Sequence, residues 1–118
     1  MRILGFSTMW PKLQQDTVTT FRFTRKDRDW VTGEVVQVVY RPRSKEREVL
    51  GVATIIGKES RDVTPDHNLN APLVSDEEAR ADGFRNHLEM GLWLLMAHGK
   101  RFWIEPMNKL TLRWVERY

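Results

Sequence analysis

The sequence predicts an α+β domain, mainly β: an open barrel of five to six strands, with two helices inserted ahead of the last strand. Three observations carry this. Short runs rich in β-branched and aromatic residues recur at residues 17–23, 34–40, 48–58 and 110–116, the pattern of strands. Helix-start and helix-stop signals gather between residues 75 and 98. The chain has 118 residues, 41% of them apolar, with five Trp, five Phe and no cysteine, so a single domain over 1–118 can form a core without disulfides.

Arg2-Ile3-Leu4-Gly5-Phe6 reads as a short first strand, ended by Ser7 and followed by Trp10-Pro11. In 17–23, alternation puts Val18, Thr20 and Arg22 on one face and Thr17, Thr19, Phe21 and Phe23 on the other. Thr32-Gly33 marks a turn. In 34–40 only Gln37 interrupts the apolar run, so both faces of that strand are expected to be covered. Residues 41–47 form a basic hairpin tip in which Pro42 cannot donate to a ladder, and 48–58 returns, with Gly51 and Gly57 marking bulges or close backbone approaches. Residues 61–73, with Pro65 and Pro72, read as a loop.

Ser75-Asp76-Glu77-Glu78 is a capping box, in which Ser75 accepts from the N3 amide and Glu78 reaches back; Asp82-Gly83 stops that helix. Apolar residues at Leu88, Leu92, Leu95, Trp93 and Met96 predict a second, largely buried helix over 88–98. Residues 100–103 and 110–116 are expected strands, the latter alternating Leu110, Leu112 and Trp114 against Thr111, Arg113 and Val115.

The formal net charge is +3, but its distribution is uneven. Residues 22–47 hold eight bases against four acids, and residues 66–89 six acids against two bases. Such a dipolar molecule can steer a polyanion onto one face. The longest apolar run, 90–97, is far short of the roughly 20 residues needed to span a bilayer, so no membrane partner is expected. Absence of cysteine and of a signal-peptide pattern points to a cytoplasmic location. His67, His87 and His98 lack ligand spacing and no Gly-rich phosphate loop occurs, so neither a metal nor a cofactor is expected.

Several segments resemble the ASCH family of the PUA-like superfamily: Leu4-Gly5-Phe6-Ser7; Thr20-Phe21-Arg22; Trp30, Gly33 and Glu34 leading into a long strand; Ser75-Asp76-Glu77-Glu78-Ala79 followed by Asp82-Gly83-Phe84; and the closing strand from Met107 to Trp114. The resemblance implies an open β-barrel with helices beside it and a cleft between them that binds RNA or a modified nucleobase. One branch of that family hydrolyses the amide of acetylated cytidine, using a lysine and a threonine from a Lys-Thr-x-Thr-x-Arg strand and a glutamate from the helical insert. Aligned on Arg22, the threonine is Thr20, the lysine position falls on Thr17, and Glu77 or Glu78 is the acid. Lys12 is near in sequence to the missing amine.

The expected function is therefore an RNA-binding or modified-nucleobase-binding module. The alternative is a small hydrolase of a modified nucleoside, or a ribonuclease, with Thr20 and Glu78 as catalytic residues. Expected ligand-binding residues are Trp10, Lys12, Arg22, Arg25, Lys26, Arg41, Arg43, Lys45 and Arg47. Aromatic faces for base stacking are sought at Trp10, Trp30 and Tyr40, while Trp93 and Trp114 are expected in the core.

Overall fold

One long strand organises the fold. In the computed structural model, which describes residues 1–62, 71–99 and 106–118, Glu48–Arg61 (β4) runs for 14 residues between two antiparallel neighbours. These are Val35–Tyr40 (β3) on one side and Met107–Arg117 (β5) on the other. Arg2–Phe6 (β1) adds to β3 in parallel, and Thr17–Arg22 (β2) adds to β5 antiparallel, giving the order β1-β3-β4-β5-β2. Register shifts fall between Val38 and Val39, Val52 and Ala53, and Ile55 and Gly57, at or beside both glycines expected to mark them. Bulges raise local twist, and here they curl the sheet into a half-barrel.

The concave face buries Leu4, Val18, Val36, Val38, Ile55, Leu110 and Leu112. Each such aliphatic side chain contributes about 1.5–3 kcal/mol when fully buried. A second apolar cluster lies between the sheet and the helices Asp76–Asp82 (α1) and His87–His98 (α2), joining Phe21, Phe23, Ala79, Phe84, Met90, Leu94 and Met107. Trp10 packs against both clusters.

Both helices start and stop where the local chemistry dictates. Ser75 and Glu78 form the reciprocal capping box, and Gly83 ends α1 in the left-handed conformation. Asn86 caps α2 by accepting from the Glu89 amide. The expectation of a largely buried second helix is corrected: only Met90 and Leu94 of α2 are buried, while Leu88, Leu92 and Met96 are exposed. A single helix laid on one sheet buries one stripe, and α2 is apolar beyond that stripe. Arg61 closes β4 and Asp62 bridges to Leu73, so the expected loop begins later than read; residues 63–70, including His67, and the expected strand at 100–103 lie outside the described residues.

The functional consequence lies at the sheet's two edges. β1 and β2 are the outermost strands, yet they face one another, for the Arg22 guanidinium lies 4.8 Å from the Phe6 ring centroid. The connection between them carries the 3-10 turn Pro11–Gln14, which buries Lys12 and Leu13.

Candidate functional site

Where β1 and β2 end, a cleft of about 190 Å³ opens between the sheet edges and the two helices. Lys12, Thr20, Arg22 and Asp82 line it, together with the polar side chains of Ser7 and His98. The positions of the first four follow from local rules. Pro11 starts the 3-10 turn, where its missing amide proton costs nothing, and Lys12 follows it pointing inward. Strand alternation turns Thr20 and Arg22 to the same face as buried Val18. Asp82 is the last residue of α1 and is delivered by the turn at Gly83. That glycine has φ +112°, a conformation that L side chains rarely adopt, and a Cβ there would sit 3.0 Å from Trp10 Cε3, so glycine lets helix end and indole meet without strain.

Lys12 is only 6% exposed. Its Nζ donates to Asp82 Oδ1 at 2.6 Å and to the Thr19 carbonyl at 2.7 Å. It also stands 5.6 Å from the Phe6 ring centroid and 5.8 Å from that of Trp10. Burial pushes the Lys12 pKa down, with the Asp82 charge opposing and the Arg22 charge assisting. Burial pushes the Asp82 carboxyl up, against the pull of Lys12 and Arg22. Both members of the pair are thus drawn towards their neutral forms.

Arg22 is the other cation. Its Nε donates to Thr20 Oγ1 at 3.0 Å, and among the described residues no carboxylate lies within ion-pairing distance. Desolvation lowers its pKa to about 10 despite the attraction of Asp82. Because Thr20 Oγ1 accepts from Arg22, its own hydroxyl proton remains to be donated. The terminal Arg22 nitrogens have no hydrogen-bond partner among the described residues, and the side chain lines the cleft. Two cations against one anion leave the cleft with a net positive charge.

The cleft's other wall is aromatic. Trp10, Phe84 and Trp93 form a mutually tilted triangle with centroid separations of 5.3, 5.7 and 5.9 Å. Trp93, expected in the core, is instead 39% exposed and lines the cleft. Asp82, Phe84 and Trp93 are functional candidates that sequence reasoning missed. In the sequence Asp82-Gly83 registers as a helix stop and, with Phe84, as part of the family resemblance, but not as a site.

Glu78 stands elsewhere. It accepts from Ser75 N at 3.1 Å, Arg61 Nε at 3.0 Å and Lys109 Nζ at 2.6 Å, and it does not line the cleft with Thr20. Burial alone would raise its pKa, but hydrogen bonds from Lys109 and Ser75 and the charges of Lys109 and Arg61 hold it at about 2. Glu77 is exposed. The acid that α1 brings to Thr20 and Arg22 is Asp82.

The remaining expected residues fall into two groups around Arg22. Arg41 and Arg43 line an open hollow together with Gly5, Ser7, Pro42 and Arg22. Arg25 and Lys26 line another with Arg22, Phe23 and Trp30. Lys45 and Arg47, although exposed on the same tip, line neither. Trp30 is only 3% exposed and is covered by Arg2 and Arg25, whose guanidinium carbons lie 4.5 and 5.6 Å from its ring centroid. Tyr40 is covered in part by Arg41 at 5.3 Å. Trp114 packs against the concave core. Of the three sought stacking faces, Trp10 alone lines the cleft.

Among the described residues no group of three or more His, Asp or Glu is placed to hold a metal ion, and no helix is long and apolar enough to cross a membrane. In comparisons with known proteins, no family model, no curated protein and no solved structure matches the chain.

Proposed function

We propose that the chain is a PUA-like domain of the ASCH type whose cleft binds a single nucleobase, modified or as part of RNA. The observation that supports this reading best is the convergence of Lys12, Thr20, Arg22 and Asp82 opposite Trp10, Phe84 and Trp93. Flat heteroaromatic rings suit such a site, because one wall offers π-faces and the other offers donors and acceptors for the ring's edge. The volume of about 190 Å³ lies below the roughly 300–1,000 Å³ of drug-sized pockets, which favours one small ring system over a larger cofactor. Arg22, with terminal donors to spare, is suited to an exocyclic carbonyl.

A second reading, hydrolysis of an acylated nucleobase, is favoured by Lys12. The family's lysine position holds Thr17, but Lys12 brings a buried amine into the cleft from the neighbouring turn. In this reading the Thr20 hydroxyl attacks the acyl carbonyl and its proton passes to the Lys12 amine. Arg22 donates to the developing oxyanion. The C–N bond then breaks, the departing exocyclic amine takes the proton back from Lys12, and water hydrolyses the threonyl ester to release the carboxylic acid. Asp82 steadies the charged form of Lys12 through its 2.6 Å contact.

Calorimetric titration with free nucleosides, alongside incubation with acetylated cytidine, tests both readings. Saturable heat without turnover supports the binder; release of acetate that is lost in Lys12→Met supports the hydrolase. Absence of both would remove the nucleobase from the account.

A further inference from the structure

Arg22 is the one residue shared by three hollows: the cleft, the space under the hairpin tip, and the groove beside the 24–30 loop. The hollow of about 730 Å³ under the tip continues from the cleft through Gly5, Ser7 and Arg22, and presents Arg41 and Arg43. The groove of about 270 Å³ on the other side continues through Arg22 and Phe23, and presents Arg25 and Lys26. We infer that the occupant is one residue of a single-stranded polynucleotide, its base in the cleft and its flanking phosphates in the two basic hollows. This rests on the nucleobase reading and adds to it that the ligand is a chain rather than a free nucleoside.

The charges favour a polyanion. Arg43 and Lys26 are exposed, and among the described residues no acid lies within ion-pairing distance of either. Arg25 and Arg41 are each shared with one exposed carboxylate, Asp27 and Glu46, contacts that a phosphate can displace at small cost. Duplex nucleic acid does not suit the arrangement, because a base must leave its stack to reach an enclosed cleft.

Both basic segments are held in place before any ligand arrives. The Arg41 amide donates to the Phe6 carbonyl at 2.8 Å, and Pro42 lies so close to Gly5 that a Cβ there would come within 2.7 Å of Pro42 Cγ. Across the cleft, Asp29 accepts from Lys58 Nζ at 2.6 Å, Asn108 Nδ2 at 3.1 Å and the Arg25 amide at 3.3 Å, tying the 24–30 loop to β4 and β5. Segments fixed in this way bind an extended strand without a large ordering cost.

Affinity is to be measured for the four ribonucleosides and for the four corresponding single-stranded homo-octaribonucleotides, across a salt series. For the preferred base the octamer is expected to bind at least tenfold tighter than its nucleoside. With the two flanking phosphates engaged, log K should fall against log salt with a slope of about −1.4. In the double variant Arg43→Glu with Lys26→Glu, the octamer-to-nucleoside affinity ratio should collapse at least tenfold; in Lys45→Glu, outside both hollows, it should change less than threefold. An octamer that binds no tighter than its nucleoside overturns the polynucleotide assignment and leaves the cleft reading standing. Tight octamer binding that the double variant does not weaken also overturns it. Failure of every nucleoside and octamer to bind overturns both.

Discussion

Two acids on one short helix meet opposite fates. Glu78 sits in the first turn of α1 and Asp82 at its last residue, one helical turn apart. Glu78 is satisfied by its own capping amide and two cations, so its charge is favoured and its pKa falls to about 2. Asp82 is buried with one lysine, and burial drives its pKa the other way. The first is a structural acid whose charge is welcome. The second is kept in a place where neither charge state is comfortable, and that is the condition under which a carboxylate can exchange protons or respond to a ligand. A capping box therefore locates the helix, while the site acid lies at the helix end it does not mark.

The contrast can be tested by removing each partner in turn. Lys12→Met leaves Asp82 buried without its cation and should cost about 3–5 kcal/mol in urea unfolding. Adding Asp82→Leu should restore most of that loss, since both charges are then gone. Losses that simply add would show that the two groups do not depend on one another. Arg22→Ala should behave differently: with no carboxylate partner among the described residues, it should leave stability nearly unchanged while ligand affinity falls at least tenfold.

A smaller effect is expected at the helix end. Gly83→Ala places a Cβ against Trp10 at φ +112° and should cost about 1–2 kcal/mol, read as a lowered unfolding midpoint.

Glu78→Gln should be milder at neutral pH but visible in the pH profile. Because the folded pKa of Glu78 lies near 2 against an ordinary 4.5, its contribution is complete above about pH 4.5 and is lost as pH falls towards 2. Glu78→Gln should flatten that part of the acid limb of the stability curve, with nucleoside affinity unaltered. For Asp82, whose folded pKa is raised, the same acidification acts in the opposite sense, adding stability rather than removing it. A Glu78→Gln variant with an unchanged acid limb would erase the distinction between the two acids.

Much of the fold was legible because its signals are local. The strands announce themselves through β-branched runs, α1 through Ser75, Glu78 and Gly83, and the bulges through Gly51 and Gly57. The curl of the sheet follows only from register, which single strands do not reveal. In the site, Thr20 and Arg22 were legible by alternation from Val18, and Lys12 by its nearness in sequence, but the orientation of Lys12 and the role of Asp82 were not. Lys12 arrives from a 3-10 turn with no periodicity to orient it, and Asp82 from the far end of a helix whose start draws the eye. Trp93 looked like core because α2 is apolar all round; only the packing decides which stripe faces the sheet.

The nucleobase reading is tested most directly by following the indole N–H resonances during titration with nucleosides and acetylated cytidine. Trp10 and Trp93, which wall the cleft, should shift together and saturate, while Trp114 on the concave core stays fixed. Uniform silence of Trp10 and Trp93, or shifts confined to Trp114, would contradict the cleft as the place where a base is held.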